Sequence, residues 1–273
     1  MPVGLVVTDL DGTLLGSERQ LSAVDRQTLV ELGRLGITRV VATGRSLFSA
    51  RRVLDESFPI DFLAHTSGAG IVSWPLGHEL RVRHMAPTAA AELTLALMAR
   101  ELDFMLHRAI PNNHRFYLRR TGRPNADFER RVQLYAAYAE ALHGPLADGE
   151  PMCQGLVIEP ATSASCYTEL RDALSAFQVI RTTSPLDGRS TWIEIFPTGV
   201  SKADAAAWLR ERERREQCLS VAVGNDFNDL ELLEWADLAF VVDNSPAELR
   251  QRYTTVASND EGGFSEAVRR ALS

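Results

Sequence analysis

Val3-Gly4-Leu5-Val6-Val7-Thr8-Asp9-Leu10-Asp11-Gly12-Thr13-Leu14-Leu15 is the stretch that decides the fold. Its short apolar run reads as a buried strand, and two carboxylates one residue apart close it. Gly12 lets the backbone turn sharply, and Thr13 places a hydroxyl beside the turn. Two acids at a strand's C-terminal end can hold a hard cation and still leave an oxygen free to attack, and open α/β sheets bind ligands at that edge. The competing reading, a plain surface turn of Asp and Gly, loses weight as the rest of the chain is read.

Outward from that strand the texture is βαβα. Ser22 caps a helix with Val24, Leu29, Leu32 and Leu35 as its apolar positions, and Gly36 ends it. Thr38–Ala42 reads as a strand, then Thr43-Gly44-Arg45-Ser46 leads into a helix from about Leu47 to Leu54. The C-terminal part repeats the pattern. A helix starts near Ser201, a strand spans Leu219 to Val223, and Gly224-Asn225-Asp226-Phe227-Asn228-Asp229 turns into a helix through Trp235. A further strand spans Leu238 to Val242, and Ser245-Pro246-Ala247-Glu248 reads as a capping box with Pro at the first helical position. A last strand spans Thr254 to Ala257, and Glu261-Gly262-Gly263 opens the final helix. Alternating strands and helices mark a parallel sheet with helical crossovers.

The middle differs. Pro87 opens a helix through about Glu101, and Phe104–Ile110 and Arg115–Arg119 flank Pro111-Asn112-Asn113. A helix is expected from about Asp127 to Leu142, a strand over Gly155 to Glu159 and a helix over Ser165 to Phe177. Val179–Thr183 and Thr191–Phe196 make a hairpin around Pro185-Leu186-Asp187-Gly188. The expected organisation is an α/β core carrying an inserted α+β domain: residues 1–84 core, 85–189 inset, 190–273 core.

Bulk properties narrow the function. The 273 residues are 45% hydrophobic with a net charge of −7, which gives no global basic field for nucleic acid. No apolar run approaches a membrane span. Met1-Pro2-Val3 runs into the first strand without a basic leader. Cys153, Cys166 and Cys218 lack pair or metal spacing, so a cytoplasmic location is expected. Lys202 is the only lysine among 29 basic residues. A compact ammonium differs from a planar guanidinium, and a lone Lys points to a place that needs the former. The arginines 115, 119, 120, 123, 130 and 131 read first as a solvated face, with substrate recognition or a nucleic-acid patch as the other readings. His107, Arg108, His114 and Arg189 are further groups of the inset able to meet a ligand, and His65 reads as structural.

Four segments supply complementary chemistry. A phosphoryl group needs an in-line nucleophile, a divalent cation and donors for its equatorial oxygens. Asp9 can attack phosphorus to form an aspartyl-phosphate, and Asp11 can protonate the leaving alcohol and then activate water. The Thr43 hydroxyl, backbone N–H groups such as that of Gly44, and the Lys202 ammonium can hold the transferring oxygens. Mg²⁺ suits an all-oxygen site with few protein ligands; Asn225, Asp226 and Asp229 complete the oxygen set.

These pieces, in this order, resemble the haloacid dehalogenase superfamily of phosphohydrolases, and the position of the inset resembles the Cof-type group with a type IIB cap. The matching residues are Asp9-Leu10-Asp11-Gly12-Thr13, Thr43 in Ala42-Thr43-Gly44-Arg45, Lys202 in Gly199-Val200-Ser201-Lys202, and Gly224–Asp229. The resemblance implies a Rossmann-like core with helices on both faces plus a cap, Asp9 as nucleophile, Asp11 as acid and base, and Thr43 and Lys202 as phosphate anchors. It implies Mg²⁺ held by Asp9, the Asp11 carbonyl and the fourth motif. There Asn225 stands in place of the usual first acid and Asp226 follows it, so either the Asn225 amide oxygen or the Asp226 carboxylate is the ligand, with Asp229 a ligand or a supporting partner. Ser67 replaces the usual Asn, and Ala203 a frequent Gly. The expected activity is Mg²⁺-dependent hydrolysis of a small phosphorylated metabolite, a sugar phosphate first. The alternatives are a phosphosugar mutase, or a non-catalytic metabolite-binding or phospho-signalling protein.

Overall fold

The computed structural model describes residues 1–146 and 149–273. In chain order its elements are β1 (Val3–Thr8), α1 (Ala23–Arg34), β2 (Thr38–Ala42), α2 (Leu47–Ala50), β3 (Phe62–His65), β4 (Gly70–Ser73) and β5 (Glu79–Val82). Then come α3 (Pro87–Ala99), β6 (Phe104–Arg108), β7 (Phe116–Arg119), α4 (Ala126–Leu134), β8 (Ala139–Ala141), β9 (Met152–Glu159), α5 (Tyr167–Ala173), β10 (Phe177–Thr183) and β11 (Thr191–Pro197). The chain closes with α6 (Lys202–Arg212), β12 (Leu219–Gly224), α7 (Leu230–Trp235), β13 (Leu238–Val242), α8 (Ala247–Arg252), β14 (Thr254–Val256) and α9 (Gly263–Leu272). Two compact units result, Met1–Val82 with Ser201–Ser273, and Arg83–Val200.

The first unit is built on a sheet ordered β14-β13-β12-β1-β2-β3-β4-β5. β14 through β3 are parallel, and β4 and β5 add antiparallel at one edge. Successive β1 side chains point to opposite faces. Val6 packs with Leu29 and Leu32 of α1 and Phe264 and Val268 of α9, whereas Leu5 and Val7 pack with Leu209 of α6, Leu232 of α7 and Leu249 of α8. Burial on both faces explains why β1 reads as a continuous apolar run, the signature of a parallel strand covered by helices on both sides. The α/β core expected from the sequence is therefore present, with β1 in the middle of the sheet.

The second unit carries a sheet ordered β10-β11-β9-β6-β7-β8, antiparallel except for the β7–β8 pair. Leu93 and Leu97 of α3 and Leu170 of α5 pack on one face with Phe104, Leu106 and Ile193. Phe128 and Val132 of α4 pack on the other with Met105, Leu156 and Trp192.

Several boundaries differ from the sequence reading, each for a physical reason. The second unit ends at Val200 rather than at 189, because β11 is hydrogen-bonded to β10 on one edge and β9 on the other. The helix expected over 127–142 stops at Leu134; a 3₁₀ turn over Ala136–Tyr138 follows, and Ala139–Ala141 is captured by the β7 edge. The helix expected to reach Leu54 ends at Ala50, and that expected over 165–177 spans only Tyr167–Ala173 because Phe177 already pairs with Pro197. The strand expected at Gly155 begins at Met152, three residues earlier than its expected start, pairing with β6. At Ser245 no capping box forms: Pro246 is the N-cap of α8, and no side chain caps it. Val24 of α1 and its C-cap Leu35 face outward, 52% and 65% exposed, while Asp25 is buried in the row that holds Leu29 and Leu32.

Candidate active site

The residues singled out at the start, Asp9 and Asp11, follow the last residue of β1, where the chain leaves the sheet. The turn is tied down locally: Asp9 N–H donates to Val223 O at 2.9 Å, Leu15 N–H to Leu10 O at 2.8 Å, and Gly12 takes a φ of 75°. That left-handed conformation suits glycine, and a Cβ there would also crowd the Asn225 amide at 2.7 Å.

Lys202 is the first residue of α6, capped by Ser201, whose hydroxyl accepts from Asp204 N–H at 3.2 Å. Its side chain is 1% exposed, and its Nζ donates to Asp9 Oδ1 and to Asp229 Oδ1, both at 2.6 Å. The backbone of α6 approaches the loop after β3 closely, since a Cβ on Gly68 would collide with the Ser201 carbonyl. In that loop Thr66 and Ser67 both take a φ of 53°. The left-handed region is one that Asn tolerates better than Ser, which gives a backbone reason for the Asn that the resemblance leads one to expect at position 67.

Asp229 is fully buried, and its carboxylate is fully engaged: Oδ1 holds Lys202, and Oδ2 accepts from Asn225 N–H at 2.9 Å and Asp226 N–H at 3.1 Å. Gly224 has no room for a side chain, because a Cβ would lie 2.7 Å from Asp229 Cβ. Asp226 caps the following turn by accepting from Phe227 N–H at 2.8 Å. Asn225 faces the first loop, its Oδ1 accepting from the Thr13 hydroxyl at 3.2 Å. The three fourth-motif residues thus come to the same sheet edge as Asp9 and Asp11, with different neighbours.

Thr43 lies just past β2, 1% exposed. Its hydroxyl accepts from Arg45 N–H at 3.1 Å, and its backbone is fixed by Ala64 and Ser67. Gly44 follows it in the same turn. Two side chains of this edge escape the sequence reading. Arg45 forms a fork on Asp11, Nε to Oδ2 and Nη2 to Oδ1, both 2.6 Å, braced by Ser49 Oγ at 3.2 Å. Asn244 donates to Gly12 O at 2.8 Å from the loop after β13. Arg45 stands in the quoted Thr43-Gly44-Arg45 stretch, but only the fold brings β2 beside β1 with Asp11 opposite it. Asn244 has no sequence signal.

The electrostatics of the edge are one-sided. Asp9, Asp11, Asp226 and Asp229 face two cations, Lys202 and Arg45. Burial pushes the Asp9 carboxyl up to about 7; Lys202 pulls it down, and the Asp229 and Asp11 charges push it up again. Burial alone lowers the affinity of Lys202 for its proton, but Asp229 and Asp9 outweigh it and hold the ammonium above its ordinary value. Among the described residues no three His, Cys, Asp or Glu side chains converge on a shared cation position. A hard cation here therefore relies on few carboxylates, supplemented by amide, carbonyl or water oxygens. The oxygen donors of Asp9, the Asp11 carbonyl, Asp226 and Asn225 fit Mg²⁺ chemistry. Asp229, with both oxygens taken, fits the supporting role rather than that of a direct ligand.

His65 behaves as a structural residue: burial lowers its pKa to about 4, and its ring packs against Gly70. Of the inset groups, His107, Arg108, His114 and Arg189 all belong to the second unit. Arg108 is tied to Tyr117 Oη at 2.8 Å and Glu140 at 3.0 Å. Among the described residues no helix is long and apolar enough to cross a membrane.

Comparison with known proteins supplies the family. The model of the haloacid dehalogenase-like hydrolases matches residues 6–268. The chain is similar to the HMP-PP phosphatase of Klebsiella pneumoniae, 28% identical over 262 residues, covering 90% of this chain and 86% of the relative. It is also similar to a 5-amino-6-(5-phospho-D-ribitylamino)uracil phosphatase of Bacillus subtilis, YwtE, 24% identical over 285 residues with 98% of each chain covered. Among solved structures, the subclass IIB sugar phosphatase BT4131 superposes with a TM-score of 0.73 at 14% identity, covering 98% of both chains, a likeness of fold. The family match begins inside β1 and ends inside α9, taking in both units, and the chain belongs to the haloacid dehalogenase-like hydrolase family.

Proposed function

We propose that this hydrolase is a Mg²⁺-dependent phosphomonoesterase that acts on a small phosphorylated metabolite through an aspartyl-phosphate on Asp9. The observation that carries the reading is the Lys202 bridge: one buried ammonium, 2.6 Å from both Asp9 and Asp229, fixes a carboxylate at the edge of the sheet. Lys202 engages Asp9 Oδ1, so Oδ2 is the attacking atom. It bonds to phosphorus as the P–O bond to the leaving alcohol breaks, and Asp11 delivers a proton to that oxygen. Asp11, now a carboxylate, takes a proton from water as the water oxygen attacks phosphorus and the Asp9–phosphorus bond breaks. Inorganic phosphate leaves, and both acids return to their starting states.

The two-pronged grip of Arg45 holds Asp11 as a carboxylate, the form that takes a proton from water in the second step, and one prong has to let go for Asp11 to carry the proton it delivers in the first. The Thr43 hydroxyl accepts from Arg45 N–H, so its own proton is available to a phosphoryl oxygen. Gly44 adds a backbone N–H, and Lys202 adds positive charge. Mg²⁺, held by Asp9, the Asp11 carbonyl and Asp226 or Asn225, supplies charge neutralisation for the transferring group. Relatives named for phosphorylated small molecules support that substrate class, with sugar phosphates first. The three cysteines are all free thiols, in keeping with a cytoplasmic location.

The test is phosphate release from a panel of sugar phosphates and other small phosphomonoesters, with Mg²⁺ and with EDTA, beside Asp9→Asn. Release that needs the metal and falls by several orders of magnitude in the variant is expected. Metal-independent release, or full activity in Asp9→Asn, contradicts the reading.

A further inference from the structure

Thr66, Ser67 and Gly68, the turn that follows β3, take φ values of 53°, 53° and 97°. Left-handed residues in succession are costly for a chain of L-residues, above all at a β-branched one such as Thr66. Backbone strain of this kind persists only where the surroundings over-determine it. All three residues are buried, so what holds the turn is protein rather than solvent.

Its hydrogen bonds run to one place. Thr66 N–H donates to Arg45 O at 2.7 Å, and Ser67 N–H to Thr43 O at 2.9 Å. In an extended strand consecutive N–H groups point to opposite sides. A helical turn aligns them, and the left-handed turn here brings both onto the Thr43-Gly44-Arg45 stretch. Thr43 N–H donates back to Ala64 O at 2.8 Å, and Ala69 N–H closes the turn on Thr66 O at 2.9 Å. The strain thus holds the backbone on either side of Gly44.

The other side of the turn meets α6. A Cβ on Gly68 would collide with the Ser201 carbonyl and lie 3.2 Å from Ala205 Cβ. Ser201 directly precedes Lys202, whose ammonium bridges Asp9 and Asp229. Thr43 and Lys202 come from distant parts of the chain, and this turn is bonded to the backbone of the first and packed on the backbone next to the second. We propose that the Thr66-Ser67-Gly68 turn sets the spacing between Thr43 and Lys202, with Gly68 as the positioning residue that lets the start of α6 come down beside the Thr43 turn. The inference rests on the proposed role of Thr43 and Lys202 as phosphate anchors. A methyl group at position 68 has to push the Ser201 carbonyl, and the first residue of α6 with it, away from the Thr43 turn. Displacing a positioned group by about 1 Å can cost about 10²-fold.

The test uses the full chain with lysine labelled with ¹⁵N at Nζ. Lys202 is the only lysine, so its ammonium gives a single resonance, against which inorganic phosphate is titrated in the presence of Mg²⁺. Wild type is compared with Gly68→Ala and with Gly36→Ala. Gly36 is the control because its φ of 69° brings a similar backbone penalty while nothing lies within 4 Å of the added Cβ. Gly68→Ala is expected to shift the Lys202 resonance in the phosphate-free protein and to weaken phosphate binding about tenfold or more. Gly36→Ala is expected to lower Tm and leave both readings at their wild-type values. Either reading left unchanged in Gly68→Ala overturns the proposal, and so do equal changes in Gly36→Ala. If Gly68→Ala does not fold, amide exchange in the wild type decides. Phosphate is expected to slow exchange at Thr66 and Ser67 more than at Gly36 and Ile37, and equal slowing overturns the proposal. A wild-type Lys202 resonance that ignores phosphate contradicts the phosphatase reading instead. The shift caused by Gly68→Ala without phosphate still reads the positioning of Lys202, so the two failures are separate results.

Discussion

Asp9 is the proposed nucleophile, and its protonation links the site to stability. Its carboxyl is raised from 3.8 to about 7, first by burial, with Lys202 opposing and Asp229 and Asp11 adding to the rise. Without a cation, the native state therefore keeps a proton on Asp9 that the unfolded chain has lost. The stability this contributes is complete below about pH 4 and is lost as pH rises through about 7. A divalent cation on the ionised carboxylate reverses that penalty, and binding it releases the proton. The Mg²⁺-induced rise in Tm is therefore predicted to be larger one unit above the Asp9 value than one unit below it. Differential scanning calorimetry at the two pH values checks this; an equal rise at both, or a rise unaffected by Asp9→Asn, contradicts it. Lys202 and Asp9 announce themselves in the sequence, one as the sole lysine and the other at the end of an apolar strand. Arg45 does not, because its partner is 34 residues away and only the β1–β2 pairing joins them.

At the scale of elements, α6 starts with a cation, which the helix dipole disfavours by about 0.3–1 kcal/mol. Two charge-assisted hydrogen bonds to Asp9 and Asp229 outweigh that term, so the position answers to the site rather than to helix preference. α1 shows a similar substitution of roles. Asp25 takes a buried place in an otherwise apolar row because its Oδ1 accepts from the Ser265 N–H at 3.0 Å and hydroxyl at 2.6 Å at the start of α9, and its Oδ2 from the Ser22 hydroxyl at 2.7 Å. Asp25→Ala leaves the Ser265 N–H without its acceptor and is predicted to cost about 2 kcal/mol. Urea unfolding reads this as a lower midpoint at unchanged slope; a midpoint equal to wild type contradicts it. Elements with strong periodicity, such as β2 and β13, are legible to their ends. Those whose ends depend on a neighbouring edge are not: α4 gives way to β8 because β7 offers free pairing groups, which no local pattern encodes.

For the whole molecule, the discontinuous organisation is legible because the chain begins and ends in the same alternating texture, while hairpins fill the middle. β3, β4 and β5 are not, since short segments between glycines and prolines carry little period-2 signal. The second unit's extension to Val200 is hidden for a related reason: β11 reads as a strand from sequence, but only its two neighbours say which sheet owns it. The proposed catalytic edge assembles residues 9–11, 43–45, 202 and 225–229, so the proposed chemistry needs the first unit folded.

The aspartyl-phosphate is tested by acid-quench mass spectrometry of the Asp11→Asn variant during incubation with Mg²⁺ and an aryl phosphate, whose leaving group needs no proton from Asp11. Without Asp11 to activate water, hydrolysis of the intermediate slows by about 10²–10⁴-fold. A phosphoryl group is expected to accumulate on the peptide containing Asp9 and to be absent from the Asp9→Asn, Asp11→Asn double variant. Phosphate release by the wild type without any phosphoryl group on Asp9, or with the group on another residue, would contradict it.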